Sequence, residues 1–237
     1  MNHWHVNIQG NELDLSELAD IFASSNICVH REEGLYYLTA DELNSLDDPS
    51  EVHSRATSLI QLIWGLARIH LKTRTPLLVG AISRIRNDGV KNCYVQPEAA
   101  SLSFQGELAA VGIGGGTPVI NRKESPIGAE FFLPLNDLTV QRVVILSAKA
   151  VSPWKDLYPI LEIIKEDVLR EGWVSDDEIS RYKRTACNPA TAGDDARHGV
   201  FNHPAPSNPM TEAEAKSFIE SLVMRWLEFK RSQLPGP

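Results

Sequence analysis

Apolar and polar positions alternate from His3 to Ile8, with Trp4, Val6 and Ile8 on one side, the two-residue period of a half-buried strand over Trp4–Ile8. The run LSELADIFASS predicts a short helix, and NICVH and LYYLT predict two strands joined at Glu33–Gly34. A longer helix follows. Asp48 is placed to cap it, Pro49 to open it and Glu51 to complete a capping box. Val52, Ala56, Leu59, Ile63, Ala67 and Leu71 recur at the three- and four-residue spacing of one helix face. PLLVGAISRIRNDGVKNCYV predicts a β-hairpin turning at Asp88–Gly89, where the residues tolerate positive φ. SLSF, ELAAVGI, TPVIN and AEFFLPL are further strand candidates.

The texture changes near Asn136–Asp137, where strand-like runs give way to a succession of helix caps. Asp137 is placed to cap a helix through Val140, Val143 and Val144, with a strand over VVIL as the rival. Ser152–Pro153 opens a stripe of Trp154, Leu157, Leu161, Ile164 and Val168, in which Pro159 predicts a kink or a late start. Ser175–Glu178 and Thr211–Glu214 have the spacing of capping boxes. Asn188–Pro189 predicts a short helix closed at Gly199, with Arg197 and His198 in its last turn, followed by the Pro-rich loop NHPAPSNP. The final helix presents Ala215, Phe218, Ile219, Leu222 and Trp226 on one face. The expected class is α+β. A mainly antiparallel sheet with one or two covering helices spans residues 1–136, and a helical bundle spans residues 137–237.

Composition narrows the function classes. Of 237 residues, 43% are hydrophobic, which excludes a wholly disordered chain. No apolar run approaches the roughly 18–20 residues of a spanning helix, so no membrane partner is expected. The first residues lack a basic stretch followed by an apolar one, so no secretory signal is expected. Cys28, Cys93 and Cys187 are odd in number, widely spaced and without a CxxC pair, which points to reduced thiols in the cytoplasm. The net charge is −8, split −5 over residues 1–150 and −3 over 151–237. Neither half is basic, which argues against extended DNA binding and leaves RNA only a local site, among the bases between Arg181 and Arg197.

Three motifs invite chemistry and explain themselves without it. Gly112–Thr117 is glycine-rich, but Pro118 and β-type residues follow instead of a helix N-terminus for phosphate. His3 and His5 share a strand face, yet the sequence identifies no third ligand, so no metal is expected. Asp176, Asp177 and Glu178 form an acidic group that a capping box accounts for. No cofactor is indicated.

The segment Arg181–Gly199 is different, being too polar for a core helix and too ordered by caps for a linker. Arg184, Asn188, Asp194, Arg197 and His198 converge if its short helices fold back on each other. An Arg/Asp/His set then supplies charge stabilisation and a proton carrier near neutral pH. The alternative is a polar network that ties helix ends together.

Thr185-Ala186-Cys187-Asn188, then Gly193-Asp194-Asp195-Ala196-Arg197-His198-Gly199, Asn208-Pro209-Met210 and Trp226 follow one another from Val140 to Trp226. This order resembles the C-terminal region of a group of uncharacterised bacterial proteins, from whose run the inserted Cys187 departs. More distantly it resembles HEPN-type domains, including abortive-infection C-terminal modules. Many of these are metal-independent ribonucleases with an Arg-x(4–6)-His motif, often assembled across a dimer. The resemblance implies a place in bacterial antiviral defence. It implies Arg197 as phosphate holder and His203 or His198 as acid/base; Arg184, Asn188 and Asp194, from the converging set, are the expected binding residues. Set beside it is a non-catalytic interaction or regulatory protein, with a protein partner or a second copy of itself. The second expectation is the stronger, and catalysis is its alternative.

Overall fold

The computed structural model describes residues 3–23, 26–73, 75–86, 90–95, 126–198 and 204–234. The fold is α+β, with an antiparallel sheet in the N-terminal part and a helical region after it. The chain divides into two compact units, Met1–Ile60 with Thr75–Gly128, and Gln61–Arg74 with Ala129–Pro237. Among the described residues no helix is long and apolar enough to cross a membrane.

The first unit is built on five strands in the order β2-β3-β1-β4-β5, every pairing antiparallel. They are β1 (His3–Gln9), β2 (Ile27–Glu32), β3 (Leu35–Ala40), β4 (Leu78–Ile85) and β5 (Lys91–Tyr94). β2 and β3 form a hairpin whose turn residues Glu33 and Gly34 take φ of 51° and 82°. Left-handed backbone at both turn positions matches the twist of the flanking strands. The alternation in β1 is fully expressed: Trp4, Val6 and Ile8 are buried on one face, while His3, His5 and Asn7 lie on the other. Helix α1 (Glu12–Ile21) packs on β2, its first turn capped by the Asn11 side chain. A single turn, α2 (Asp41–Asn44), lies by β1 and β3, where Asn44 Oδ1 accepts from the Trp4 N–H at 2.9 Å.

Helix α3 (Pro49–His70) belongs to both units, Ile60 to the first and Gln61 to the second. Asp48 Oδ1 accepts from the Ser50 N–H at 2.8 Å, and the predicted stripe Val52, Ala56, Leu59, Ile63 and Ala67 is buried. Leu71 of that stripe falls just past the helix end.

The second unit contains α5 (Leu133–Asn136), α6 (Leu138–Lys149), α7 (Tyr158–Arg170), α8 (Asp176–Cys187), α9 (Pro189–Ala192) and α10 (Glu212–Ser232). Helix α7 contacts α6, α8 and α10. Asp137 caps α6 as predicted, so the rival strand over VVIL does not form. Pro159 sits in the first turn of α7, where its missing N–H costs nothing, which is the late start expected of that segment. Both capping boxes are reciprocal, Ser175 with Glu178 and Thr211 with Glu214. Gly65 on α3 faces the Val144 backbone carbonyl of α6 so closely that a Cβ would collide with it. Arg68, one turn on, donates to the carbonyls of Ala148 and Ala150 at the end of α6.

Two expectations are corrected. AEFFLPL is not a strand: it is shared between α4 (Pro126–Glu130) and α5, with Pro134 in the first turn of α5. The helix opened by Asn188–Pro189 closes after one turn at Gly193 (φ 59°) and continues as a 3-10 turn over Gly193–Asp195, so Arg197 and His198 lie beyond it. SLSF, ELAAVGI, TPVIN, Asp88–Gly89, the glycine-rich Gly112–Thr117, Gly199 and His203 lie outside the described residues.

Candidate functional site

In the polar segment of the helical unit, Asn188 is the pivot. It ends α8 and begins α9, is buried, and its Oδ1 accepts from the Ala190 N–H at 2.9 Å. It therefore acts as a helix cap. After the 3-10 turn the chain returns to α8, where the Arg197 N–H donates to the Ala186 carbonyl at 2.9 Å. The return lays the Arg197 guanidinium over the Tyr158 ring, 4.0 Å from its centre, with Glu162 Oε2 3.4 Å from Nη2. Lys183 reaches the same two residues, its Nζ 5.2 Å from the Tyr158 ring centre and 3.8 Å from Glu162 Oε1. Burial pushes the Tyr158 hydroxyl up to about 12, Cys187 adding to it and Arg197 opposing it, so it stays protonated at neutral pH.

The remaining polar groups tie loops down. Arg181 donates to the carbonyls of Asn208 and Pro209 at 2.9 and 3.2 Å. Thr185, fully buried, accepts from the Met210 N–H at 3.1 Å and donates to the Arg181 carbonyl at 2.9 Å. Asp195, not Asp194, carries an ion pair, 2.9 Å from Lys155. Arg184, Asp194 and His198 are exposed. The structure thus brings Arg197 to Tyr158, Glu162 and Lys183, three residues that the motif does not contain. What the arrangement can do chemically is limited: a phosphate on Arg197 competes with Glu162 for the guanidinium.

A second constellation lies on the outer face of the sheet unit, and sequence reasoning missed it. Register places His30 on β2 opposite Tyr37 on β3, and Tyr37 opposite Asn7 on β1. The His5 and His30 rings meet edge to face with centroids 5.2 Å apart, and each also packs on Tyr37, at 5.7 and 5.9 Å. Glu32, two residues after His30 on the same strand face, brings Oε2 to 3.6 Å from His5 Nδ1. That distance is too long for a hydrogen bond, and Nδ1 is buried without a partner. Burial holds the His5 imidazole down to about 4, His30 and Lys91 adding to the effect and Glu32 opposing it. Burial lowers His30 as well, so both rings are neutral at pH 7. One donor atom from each of His5, His30 and Glu32 lies within 4.8 Å of the other two. A cleft of about 340 Å³ opens beside His5 and His30, with His3, Asn26, Thr39, Asp41 and Asn44 also on its walls, while Glu32 stands outside its lining. Only His5 of this group was marked by a sequence signal, its two-residue spacing from His3. His30 and Glu32 repeat that spacing 27 residues later, at the end of β2.

Comparison with family models, with curated proteins and with solved structures found no match.

Proposed function

We propose that this is a non-catalytic interaction or regulatory protein, in which the Arg/Asp/His segment packs the helical unit instead of carrying out chemistry. The placement of Arg197 carries this proposal: its guanidinium lies over the Tyr158 ring and pairs with the Glu162 carboxylate at the surface, so it already has a structural role. Asn188 supports it, because its side chain is used as a cap. The partner is a protein or a second copy of the chain, and the resemblance to abortive-infection modules points to a bacterial defence system as the setting. Cys28, Cys93 and Cys187 are free thiols, which suits the reducing cytoplasm.

The test is an RNA-cleavage assay without added metal, run beside urea unfolding on the wild type and Arg197→Ala. The expected result is intact RNA with both proteins and a loss of about 1 kcal/mol in the variant, the scale of a partly exposed cation–π contact. RNA cleavage by the wild type that disappears in Arg197→Ala at unchanged stability would overturn the proposal in favour of the HEPN-like ribonuclease, with Arg197 and His203 or His198 as its catalytic groups.

A further inference from the structure

We propose that His5, His30 and Glu32 form a binding site for one divalent transition-metal ion of the zinc or cobalt type, with a fourth coordination position open to the cleft above the sheet. This goes beyond the functional proposal and does not depend on it.

The scaffold comes first. His5 and His30 stand on β1 and β2, separated by β3, so their backbones lie two strand spacings apart, about 10 Å. Their rings lean together over the intervening strand to a centroid distance of 5.2 Å. A tetrahedral ion with bonds of about 2.0–2.2 Å needs its donor atoms roughly 3.3–3.5 Å apart. His5 Nδ1 and Glu32 Oε2 are at 3.6 Å, and all three donors fit within 4.8 Å, so closing on an ion takes side-chain rotation alone. Glu32 is half exposed and free to supply most of it.

The orphaned nitrogen is the second observation. Packing of three rings, His5, His30 and Tyr37, would explain the stacking without an ion. It leaves His5 Nδ1 buried with no hydrogen-bond partner, a state that buried polar groups rarely occupy. A metal ion at the meeting point of the three donors satisfies that nitrogen directly. The donor set selects the metal class. Two imidazole nitrogens and one carboxylate oxygen suit zinc, cobalt, nickel or copper, whereas magnesium and calcium require oxygen ligands throughout. Three protein ligands leave one position unfilled in a four-coordinate ion, and the cleft, which His5 and His30 line on the side away from Glu32, delivers water or a small anion to it.

The probe is zinc chloride titrated into chelator-treated full-length protein by calorimetry, with cobalt chloride as the visible-absorption reporter. The expected result is one ion per chain, a cobalt spectrum of the tetrahedral type, and a raised melting temperature in the presence of zinc. Glu32→Gln and His30→Gln each weaken binding at least ten-fold and lose the cobalt spectrum. His53→Gln, on α3 and outside the cluster, binds as the wild type does. Because Glu32 is half exposed, its variant folds even where a change at His5 disturbs the sheet, and a wild-type melting curve without metal verifies this. Absence of stoichiometric zinc binding overturns the proposal, as does wild-type affinity in Glu32→Gln and His30→Gln. The RNA assay above bears on neither result, so the two proposals fail separately.

Discussion

Three groups meet on the Asp167 carboxylate. Trp226 Nε1, on a ring with no exposed surface, donates to Oδ2 at 2.8 Å; Arg170 Nη2 lies 2.6 Å from Oδ1, and Lys230 Nζ 3.4 Å from Oδ2. Burial alone would raise this carboxyl, but the bonds from Trp226, Lys230 and Arg170 outweigh it and hold the group below the usual aspartate range. The sign follows. A carboxyl depressed in the folded state binds fewer protons than in the unfolded one, so its stabilisation is present above the unfolded value near 3.9. It is lost as pH falls through the folded value. Asp167→Asn should therefore cost roughly 1–3 kcal/mol in urea unfolding at pH 7, and the gap from wild type should close as pH falls below about 4. A gap that persists unchanged in acid would refute the assignment to the charged form. Trp226 was legible in the sequence, as part of an apolar stripe. Asp167 was not, because its role depends on what α10 places over it. His30 and Glu32 were invisible for the same reason: spacing within a strand is local, while their meeting with His5 requires β3 to lie between β1 and β2.

Helix starts were the most legible elements, since a capping box is a four-residue pattern completed by its own backbone. Thr211→Ala should lower stability by about 1 kcal/mol, measured by chemical unfolding, because Thr211 Oγ1 accepts from the Glu214 N–H at 3.2 Å and alanine cannot. AEFFLPL was misread because a short apolar run without a clear period fits either element. Pro134 in the first turn of α5 and the Asn136 side chain bonded back to the Phe132 carbonyl at 2.8 Å decide for helix. The short α9 was misread in length: Gly193 at positive φ ends it six residues before Gly199. Close approach between elements was equally hidden. Gly65 appears in the sequence as a mild flaw in a good helix, yet it is where α3 meets the Val144 carbonyl of α6. Gly65→Ala gains helix propensity and still should destabilise by about 1–3 kcal/mol, because the colliding atom is backbone and cannot rotate away. Thermal unfolding of the variant checks the sign: an increase in melting temperature would show that α6 can yield.

For the whole molecule, the boundary expected from texture, near residue 136, describes composition better than it describes compactness. The helical unit takes Gln61–Arg74 as one of its own elements, with Ile63, Leu66, Ala67 and Ile69 buried and Arg68 bonded to the end of α6. A fragment of residues 129–237 lacks that element alone and should show weakened helical circular dichroism and little hydrogen-exchange protection. Adding a peptide of residues 61–74 should restore part of both. Full native protection in the fragment alone would show that the second half of α3 is dispensable. No sequence pattern signals such sharing, because the periodicity of α3 runs unbroken from Val52 to Ala67. The sharing also imposes a timetable on synthesis. The ribosome delivers Gln61–Arg74 and then 54 further residues, Thr75–Gly128, before the rest of that unit exists. At about 5–20 residues per second this leaves the apolar face of a finished helix waiting about 3–11 s for its neighbours. The nascent chain is most in need of a chaperone during that interval, and a translational pause between residues 75 and 128 would lengthen it.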